Sequence, residues 1–169
     1  MTHETYTLNL YLLRHGKAVE DFANDFDRPL TPRGREQAKE KGQLLKKIVR
    51  SLNLIVCSPS SRTRETLDYL NINHFQSRVY FFKELYLATS DDLIKSIQNF
   101  KNTNSMLIIG HNPALHCLSH LFLSSSYSSS ENPTKLTSFP TAALAHFSLN
   151  IQNCHELNIR QSNLIAFYP

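Results

Sequence analysis

The sequence has no tryptophan, only four glycines and only three cysteines, and it has no long run of apolar residues. A membrane-spanning helix needs about 18 or more such residues in succession, and no stretch of this chain approaches that length. The opening MTHETYTLNL also lacks the basic and then apolar order of a secretory signal. We therefore expect a cytoplasmic protein with no membrane partner.

The three cysteines, Cys57, Cys117 and Cys154, are an odd number and show no CxxC spacing. This pattern argues against a disulfide framework and against a thiolate metal site, and it predicts buried thiols. The net charge of +4 is spread along the chain, with no basic tract interleaved with aromatic residues. Such a balance suits a phosphate-bearing or acidic substrate at least as well as nucleic acid, and we expect no nucleic-acid partner.

A strand, a turn and a helix follow one another three times along the chain. With 41% hydrophobic residues, the chain can bury one ordinary core, so we expect a single domain over residues 1–169. Each helix of the three units is predicted to begin near a proline, which suits the first helical turn. The three predicted units are a strand over 7–13 with a helix capped by Thr31 before Pro32, a strand over 52–58 with a helix after Pro59, and a strand over 105–110 with a helix from about Pro113.

The remaining segments complete an α/β arrangement. Strands that alternate with helices predict a three-layer α/β/α sandwich with a mainly parallel central sheet. The additional predictions are a strand over 78–82, a helix over 91–100 capped by Asp91 or Ser90, a mobile serine-rich surface loop over 124–140, and closing strands over 142–150 and 164–169 at or near a sheet edge.

Four polar side chains follow these predicted strands. Arg14 and His15 end the first strand, His111 comes directly after the third, and Arg62 lies in or near the first turn of the second helix. Ligands of parallel sheets bind beyond the carboxyl ends of the strands, where helix N-termini also meet. If the three strands are neighbours, the four side chains share one pocket.

The residue types in this pocket suit phosphoryl transfer. A guanidinium group binds phosphate through paired, charge-assisted hydrogen bonds, and a neutral imidazole can attack phosphorus and hold the phosphoryl group covalently. The arginines and the second histidine would stabilise the negative oxygens. This chemistry requires no metal and no other cofactor.

Four motifs in order, LRHG, PLTPRGREQA, SPSSRTRET and GHNP, resemble those of the histidine phosphatase superfamily, the phosphoglycerate-mutase-like enzymes. The resemblance spans most of the chain. It implies His15 as the nucleophile, Arg14 and Arg62 as phosphate clamps, and His111 as the second histidine of the phosphate pocket. It also implies the phosphoglycerate-mutase-like form of the α/β/α sandwich.

The short length and the segments FDRPLT, KELY and FPTAALA resemble, more narrowly, the SixA-type phosphohistidine phosphatases. That resemblance implies a phosphohistidine-bearing partner protein, either a phosphorelay domain or a phosphotransferase carrier, and inorganic phosphate as the product. The first alternative is a small-molecule phosphomonoesterase of the same superfamily, and the second is a non-catalytic phosphate-binding module. A mutase would need long insertions that this chain lacks.

Several further residues have two interpretations each. Arg28 could contact substrate at the pocket rim or form an ion pair with Asp27 or another carboxylate. Glu84 lies in the region where many superfamily members carry a glutamate that protonates the leaving oxygen, and the sequence leaves open whether it faces the pocket. We expect Arg64 to be solvated or ion-paired, and Thr141, which could also contact the site, to lie in a structural turn. His116 and His120 lie four residues apart on a predicted helix. That spacing could bind zinc, but the segment lacks the acidic residue of an HExxH motif.

Overall fold

A single six-stranded sheet forms the centre of the protein, as a computed structural model shows over residues 6–100, 103–125, 136–151 and 162–169. The order of its strands is β3-β2-β4-β1-β5-β6. The first four of these run parallel to one another, whereas β5 and β6 are antiparallel to their neighbours. The strands are β1 (Tyr6–Arg14), β2 (Leu54–Cys57), β3 (Arg78–Phe81), β4 (Ser105–Gly110), β5 (Leu144–Ile151) and β6 (Ser162–Tyr168).

Four helices cover the two faces of this sheet. They are α1 (Pro32–Ile48), α2 (Ser61–Leu70), α3 (Ser90–Gln98) and α4 (Ala114–Ser125). Successive side chains of a strand point to opposite faces, and β1 follows this rule: Leu10 and Leu12 pack with α3 and α4, while Tyr11 and Leu13 pack with α1 and α2. The predicted α/β/α sandwich with a mainly parallel sheet is confirmed.

The helix starts show which local signals the sequence carried correctly. Thr31 caps α1 by accepting a hydrogen bond from the Gly34 amide, and Pro32 occupies the first turn, as expected. The predicted cap of α3 is wrong: Thr89, rather than Ser90 or Asp91, caps this helix. Thr89 exchanges hydrogen bonds with Asp92 in a capping box, and this reciprocal pair satisfies two otherwise free amide groups.

The expectation that all the cysteines are buried is only partly met. Cys57 is buried at the end of β2, but Cys117 is exposed on α4, so for Cys117 the prediction is wrong. The apolar face of α4 is formed instead by its neighbours Leu115, Leu118 and Phe122. Cys154 and most of the serine-rich loop lie outside the described residues.

The closing strands extend the sheet on one side. β5 pairs with β1, so it lies inside the sheet, and β6 forms the edge. Within the ranges that the structure describes, no helix is long and apolar enough to cross a membrane.

Candidate active site

The parallel strands β1, β4 and β2 are adjacent, so the polar residues that follow them meet at one edge of the sheet. Arg14, the last residue of β1, pairs with Gly110 at the end of β4. The imidazole rings of His15 and His111 lie 5.1 Å apart between centroids. The Ser58 amide, at the end of β2, donates to the carbonyl of Ile109. The three strands are therefore neighbours, which is the condition that the predicted shared pocket requires.

His15 is held rigidly at the bottom of this pocket. Its amide donates to the carbonyl of Gly110, and its own carbonyl accepts from the amide of Ala142. The side-chain Nδ1 lies 2.7 Å from the carbonyl oxygen of Gly16. Since a carbonyl only accepts, Nδ1 carries the proton and the Nε2 lone pair is free.

His111 is held from the side of β2. Its Nε2 lies 2.8 Å from Oγ of Ser58 and 3.5 Å from Oγ of Ser60. The Nδ1 of His111 is buried without a hydrogen-bond partner among the described residues. If Ser58 donates to Nε2, then Nδ1 carries a proton that is available to a bound oxyanion.

The two guanidinium groups enter the pocket from different elements. Arg14 donates through Nη1 to the carbonyl of Phe139, at 2.9 Å. Arg62, in the first turn of α2, donates through Nη1 to the carbonyl of Asp25 at 2.5 Å and through Nη2 to its carboxylate at 3.1 Å. The Nε atoms of both arginines are buried and lack a partner among the described residues. Such unsatisfied donors are costly unless a ligand accepts from them.

Burial and positive charge keep both imidazoles neutral. Burial lowers the pKa of His15 to about 4, and the charges of Arg62 and Arg14 act in the same direction, against the raising effect of the Gly16 carbonyl. Burial also lowers the pKa of His111 to about 3, assisted by His15 and Arg62. Burial, together with the charge of Arg62, lowers the pKa of Arg14 as well. Excess positive charge in a buried pocket favours binding of an anion.

The sequence reasoning missed two residues of this site, Asp25 and Tyr86. The Asp25 carboxylate accepts from Arg62 and from the Tyr86 hydroxyl, and its other oxygen lies 2.9 Å from Nε of Arg28. The ring of Tyr86 packs edge-on against His111, at 5.8 Å between centroids. Asp25 directly precedes the segment FDRPLT and Tyr86 ends the segment KELY, but nothing in the sequence there distinguishes Asp25 from Asp27 or Tyr86 from Glu84.

The ambiguous charged residues take different positions. Arg28 forms an ion pair, with Asp25 rather than Asp27, and its charge also acts on His15. Arg64 is exposed: its Nε donates to the carbonyl of Pro59 and its guanidinium lies 4.1 Å from the ring centroid of Phe81. This exposure agrees with the expectation that Arg64 is solvated or ion-paired, and within the described ranges it is the solvated alternative that the structure shows.

Glu84 does not reach the four converging side chains. It is exposed in a short 3-10 turn, Lys83–Leu85. No hydrogen bond or ion pair connects its carboxylate to another residue in the part of the chain that the structure describes. The residue that turns toward the pocket from this segment is Tyr86, two positions later.

The histidine pair on α4 and Thr141 lie outside the pocket. The Nε2 atoms of His116 and His120 are 3.0 Å apart, and that of His116 is 3.2 Å from the carbonyl of Leu136. Within the described residues, no group of three or more metal-binding side chains occurs. Thr141 lies in a turn, where its hydroxyl accepts from Gln37, in agreement with a structural role.

Comparisons with known proteins agree with this geometry. Residues 10–81 match the family described as histidine phosphatase superfamily (branch 1), a range that contains Arg14, His15 and Arg62. An uncharacterised protein of Mycobacterium leprae is 29% identical over 92% of this chain and 98% of its own length.

Two solved structures extend the similarity to the whole fold. A protein from Nakamurella multipartitia, provisionally named phosphohistidine phosphatase SixA, is 25% identical, covers 100% of this chain and 98% of its own, and superposes with a TM-score of 0.85. The protein histidine phosphatase SixA in complex with tungstate is 22% identical over 95% of this chain and 96% of its own, with a TM-score of 0.73, and shows the same fold. On the family match over residues 10–81 and the shared fold, this chain is similar to the histidine phosphatase superfamily, whose members are phosphatases with a histidine nucleophile, and within it to the SixA type.

Proposed function

We propose that this protein is a metal-independent phosphatase of the cytoplasm that removes the phosphoryl group from phosphohistidine on a partner protein, through a phosphorylated His15. The observation that carries the proposal is the neutral His15, whose Nε2 carries the lone pair and whose ring is close enough to the guanidinium groups of Arg14 and Arg62 for their charges to lower its pKa. A nucleophile with a low pKa is ready to attack at neutral pH. Tungstate, which the SixA structure binds, is a tetrahedral oxyanion like phosphate, and supports this assignment.

The first step is an in-line displacement at phosphorus. Nε2 of His15 forms a bond to phosphorus while the bond to the substrate imidazole breaks, and the electron pair leaves with that imidazole. Because the protonated phosphohistidine ring already carries a proton on its other nitrogen, it departs as neutral imidazole. Arg14, Arg62 and Nδ1 of His111 donate to the phosphoryl oxygens. Water then attacks the phosphorus on His15 and releases inorganic phosphate.

The acid-base groups near the pocket favour this substrate over a phosphate ester. An alkoxide leaves poorly without a general acid. Glu84 is exposed and unconnected to the pocket, and hydrogen bonding by Tyr86 together with the charge of Arg62 lowers the pKa of Asp25, so Asp25 is ionised. Glu84 is not placed to protonate a leaving alkoxide and the ionised Asp25 has no proton to donate, whereas an imidazole leaving group does not need this help.

Rapid-quench labelling tests the proposal directly. A purified histidine phosphotransfer protein carrying radioactive phosphate is mixed with the enzyme in EDTA, and labelled peptides are mapped. We expect acid-labile, base-stable label on His15, absence of label in His15→Ala, and normal turnover in Glu84→Gln. Label on His111 or on a serine, or dependence on magnesium, would refute the mechanism.

The same assay separates the two alternatives. Turnover of phosphate esters without turnover of the phosphohistidine protein would identify a small-molecule phosphomonoesterase, and a large loss of activity in Glu84→Gln would point the same way. Phosphate binding without any turnover would identify a non-catalytic module.

A further inference from the structure

One carboxylate lies at the mouth of an otherwise cationic pocket. The side chain of Asp25 is 54% exposed, whereas that of Arg62, which it contacts, is only 6% exposed. His15 and His111 are also buried, at 7% and 8% exposure. Asp25 therefore contacts the buried Arg62 from the solvent-exposed side, where its carboxylate is accessible to a bound substrate.

Three separate contacts keep this carboxylate in place. Tyr86 donates its hydroxyl to Oδ2, Arg28 pairs with Oδ1, and Asn24 caps the 3-10 turn Asp25–Asp27 that carries the residue. Tyr86 is itself fixed by Phe26, whose ring packs edge-on at 4.9 Å between centroids. A solvent-exposed aspartate with this many partners is positioned rather than free, which indicates a role in the site.

Asp25 also draws on the guanidinium of Arg62 that would bind a phosphate. Nη1 and Nη2 of Arg62 each donate one hydrogen to an oxygen of Asp25, and the buried Nε has no partner among the described residues. Each Nη carries a second hydrogen, so Nε and a neighbouring Nη can still donate as a pair to a phosphate. A bound phosphoryl group therefore shares the positive charge of Arg62 with the carboxylate of Asp25.

We propose that Asp25 determines substrate class, by pairing with the cationic imidazole ring of bound phosphohistidine and by competing with surplus negative charge for Arg62. This inference rests on the proposed function. A protonated phosphohistidine ring is positive, so a fixed carboxylate at the pocket mouth attracts it and orients its N–H. A substrate with an additional carboxylate or phosphate is repelled at the same position, so the pocket discriminates by charge.

A comparison of two leaving groups tests the selectivity. The kcat/KM values of wild type and Asp25→Asn are measured with a phosphohistidine protein and with 4-nitrophenyl phosphate, whose leaving group is an anion. Asparagine keeps an oxygen for Arg62 and removes the charge. We expect the ratio of the two kcat/KM values to shift about five- to tenfold toward the ester, the size of one interaction between solvated charges about 4 Å apart. Asp27→Asn, whose exposed carboxylate pairs with Asn24, should leave the ratio unchanged.

Phosphate affinity tests the competition without any phosphohistidine substrate. Titration calorimetry with inorganic phosphate should show several-fold tighter binding to Asp25→Asn than to wild type, and no change for Asp27→Asn. Unchanged or weaker phosphate binding in Asp25→Asn, or an equal loss of kcat/KM for both substrates, would overturn the inference and leave Asp25 as a support for Arg62. Absence of phosphohistidine turnover in wild type would instead overturn the proposed function, and the phosphate titration would still decide whether Asp25 competes.

Discussion

Arg62 and Arg64 lie two residues apart on α2, yet their environments differ sharply. Arg62 is 5% exposed and reaches the pocket, whereas Arg64 lies over Phe81 on the surface. Loss of one preorganised donor to a developing oxyanion costs about 10²- to 10³-fold in rate. We therefore expect that Arg62→Ala lowers kcat by this factor and leaves the urea unfolding midpoint nearly unchanged.

The matched control is Arg64→Ala, which removes an equal charge from the same helix. It should retain near-wild-type turnover in the same phosphohistidine assay. If Arg64→Ala is as damaging as Arg62→Ala, the phosphate clamp has been assigned to the wrong arginine.

For individual residues, the sequence predicts those that belong to a recognisable motif, and it misses those that join the site only through tertiary contacts. Arg14, His15, Arg62 and His111 stand at strand ends or helix starts, so their convergence follows from local elements and one topological condition. Asp25 and Tyr86 are 61 positions apart. Their contact depends on how two segments without regular strands fold over the pocket, which no periodicity predicts.

At the level of elements, the turn after β1 packs against α1 without space for a side chain. A Cβ atom added to Gly34 would lie 2.1 Å from the carbonyl oxygen of Lys17, and one added to Gly16 would lie 2.4 Å from the carbonyl oxygen of Gly34. Both contacts involve backbone, which cannot yield without moving β1 or α1. The loop that carries His15 is therefore fixed by two glycines that face each other.

Gly34→Ala should destabilise the protein by about 1–3 kcal/mol, the usual range for overpacking, although alanine is the better helix former by about 1 kcal/mol. Urea unfolding at pH 7 measures this change. Gly110→Ala is the matched control, since the nearest atoms to its added Cβ are side-chain carbons of Leu115 at 3.8 Å. An unchanged midpoint in Gly34→Ala would show that the turn can move away from α1.

The helix boundaries show why elements are easier to predict than their ends. Thr89, Ser90 and Asp91 can all cap a helix, and the sequence alone offers no way to choose among them. The choice depends on Asp92, which reaches back to the amide of Thr89. Thr31 presents no such ambiguity, because Pro32 follows it directly and proline is favoured at the first helical position.

For the whole molecule, two buried neutral histidines make stability depend on pH. The pKa values of about 4 for His15 and about 3 for His111 lie below the ordinary value of 6.5, chiefly because of burial. Below pH 6.5 the unfolded chain therefore binds more protons than the folded one. Stability is complete above pH 6.5 and decreases as the pH falls toward 4.

We expect each histidine to lower the free energy of unfolding by about 2 kcal/mol between pH 6.5 and pH 5, at about 1.4 kcal/mol per pKa unit. Urea unfolding of wild type and His111→Gln at pH 7.5 and at pH 5 measures it. Glutamine does not titrate. On acidification, the free energy of unfolding of the variant should therefore decrease by about 2 kcal/mol less than that of wild type. Equal losses in the two proteins would show that His111 is not buried as a neutral base.

The order of the strands is a property of the whole molecule, and the sequence alone does not predict it. Alternating strands and helices predict a parallel sheet, but they do not say that β4 lies between β2 and β1. That order follows from the direction of each crossover connection, which depends on packing against the sheet. The shared pocket depends on it, since a strand placed between β1 and β4 would separate His15 from His111, and a strand placed between β2 and β4 would separate Arg62 from His111.

The backbone contacts of His15 have a consequence for how this protein could change over time. Its amide and carbonyl are bonded to Gly110 and Ala142, so the proposed nucleophile belongs to the rigid floor of the sheet. Asp25 and Tyr86, by contrast, belong to connecting segments that form a roof. In the mechanism that we propose, the floor performs the transfer and the roof selects the substrate. New substrate preferences can therefore arise by exchanging roof segments alone, with the chemistry inherited intact.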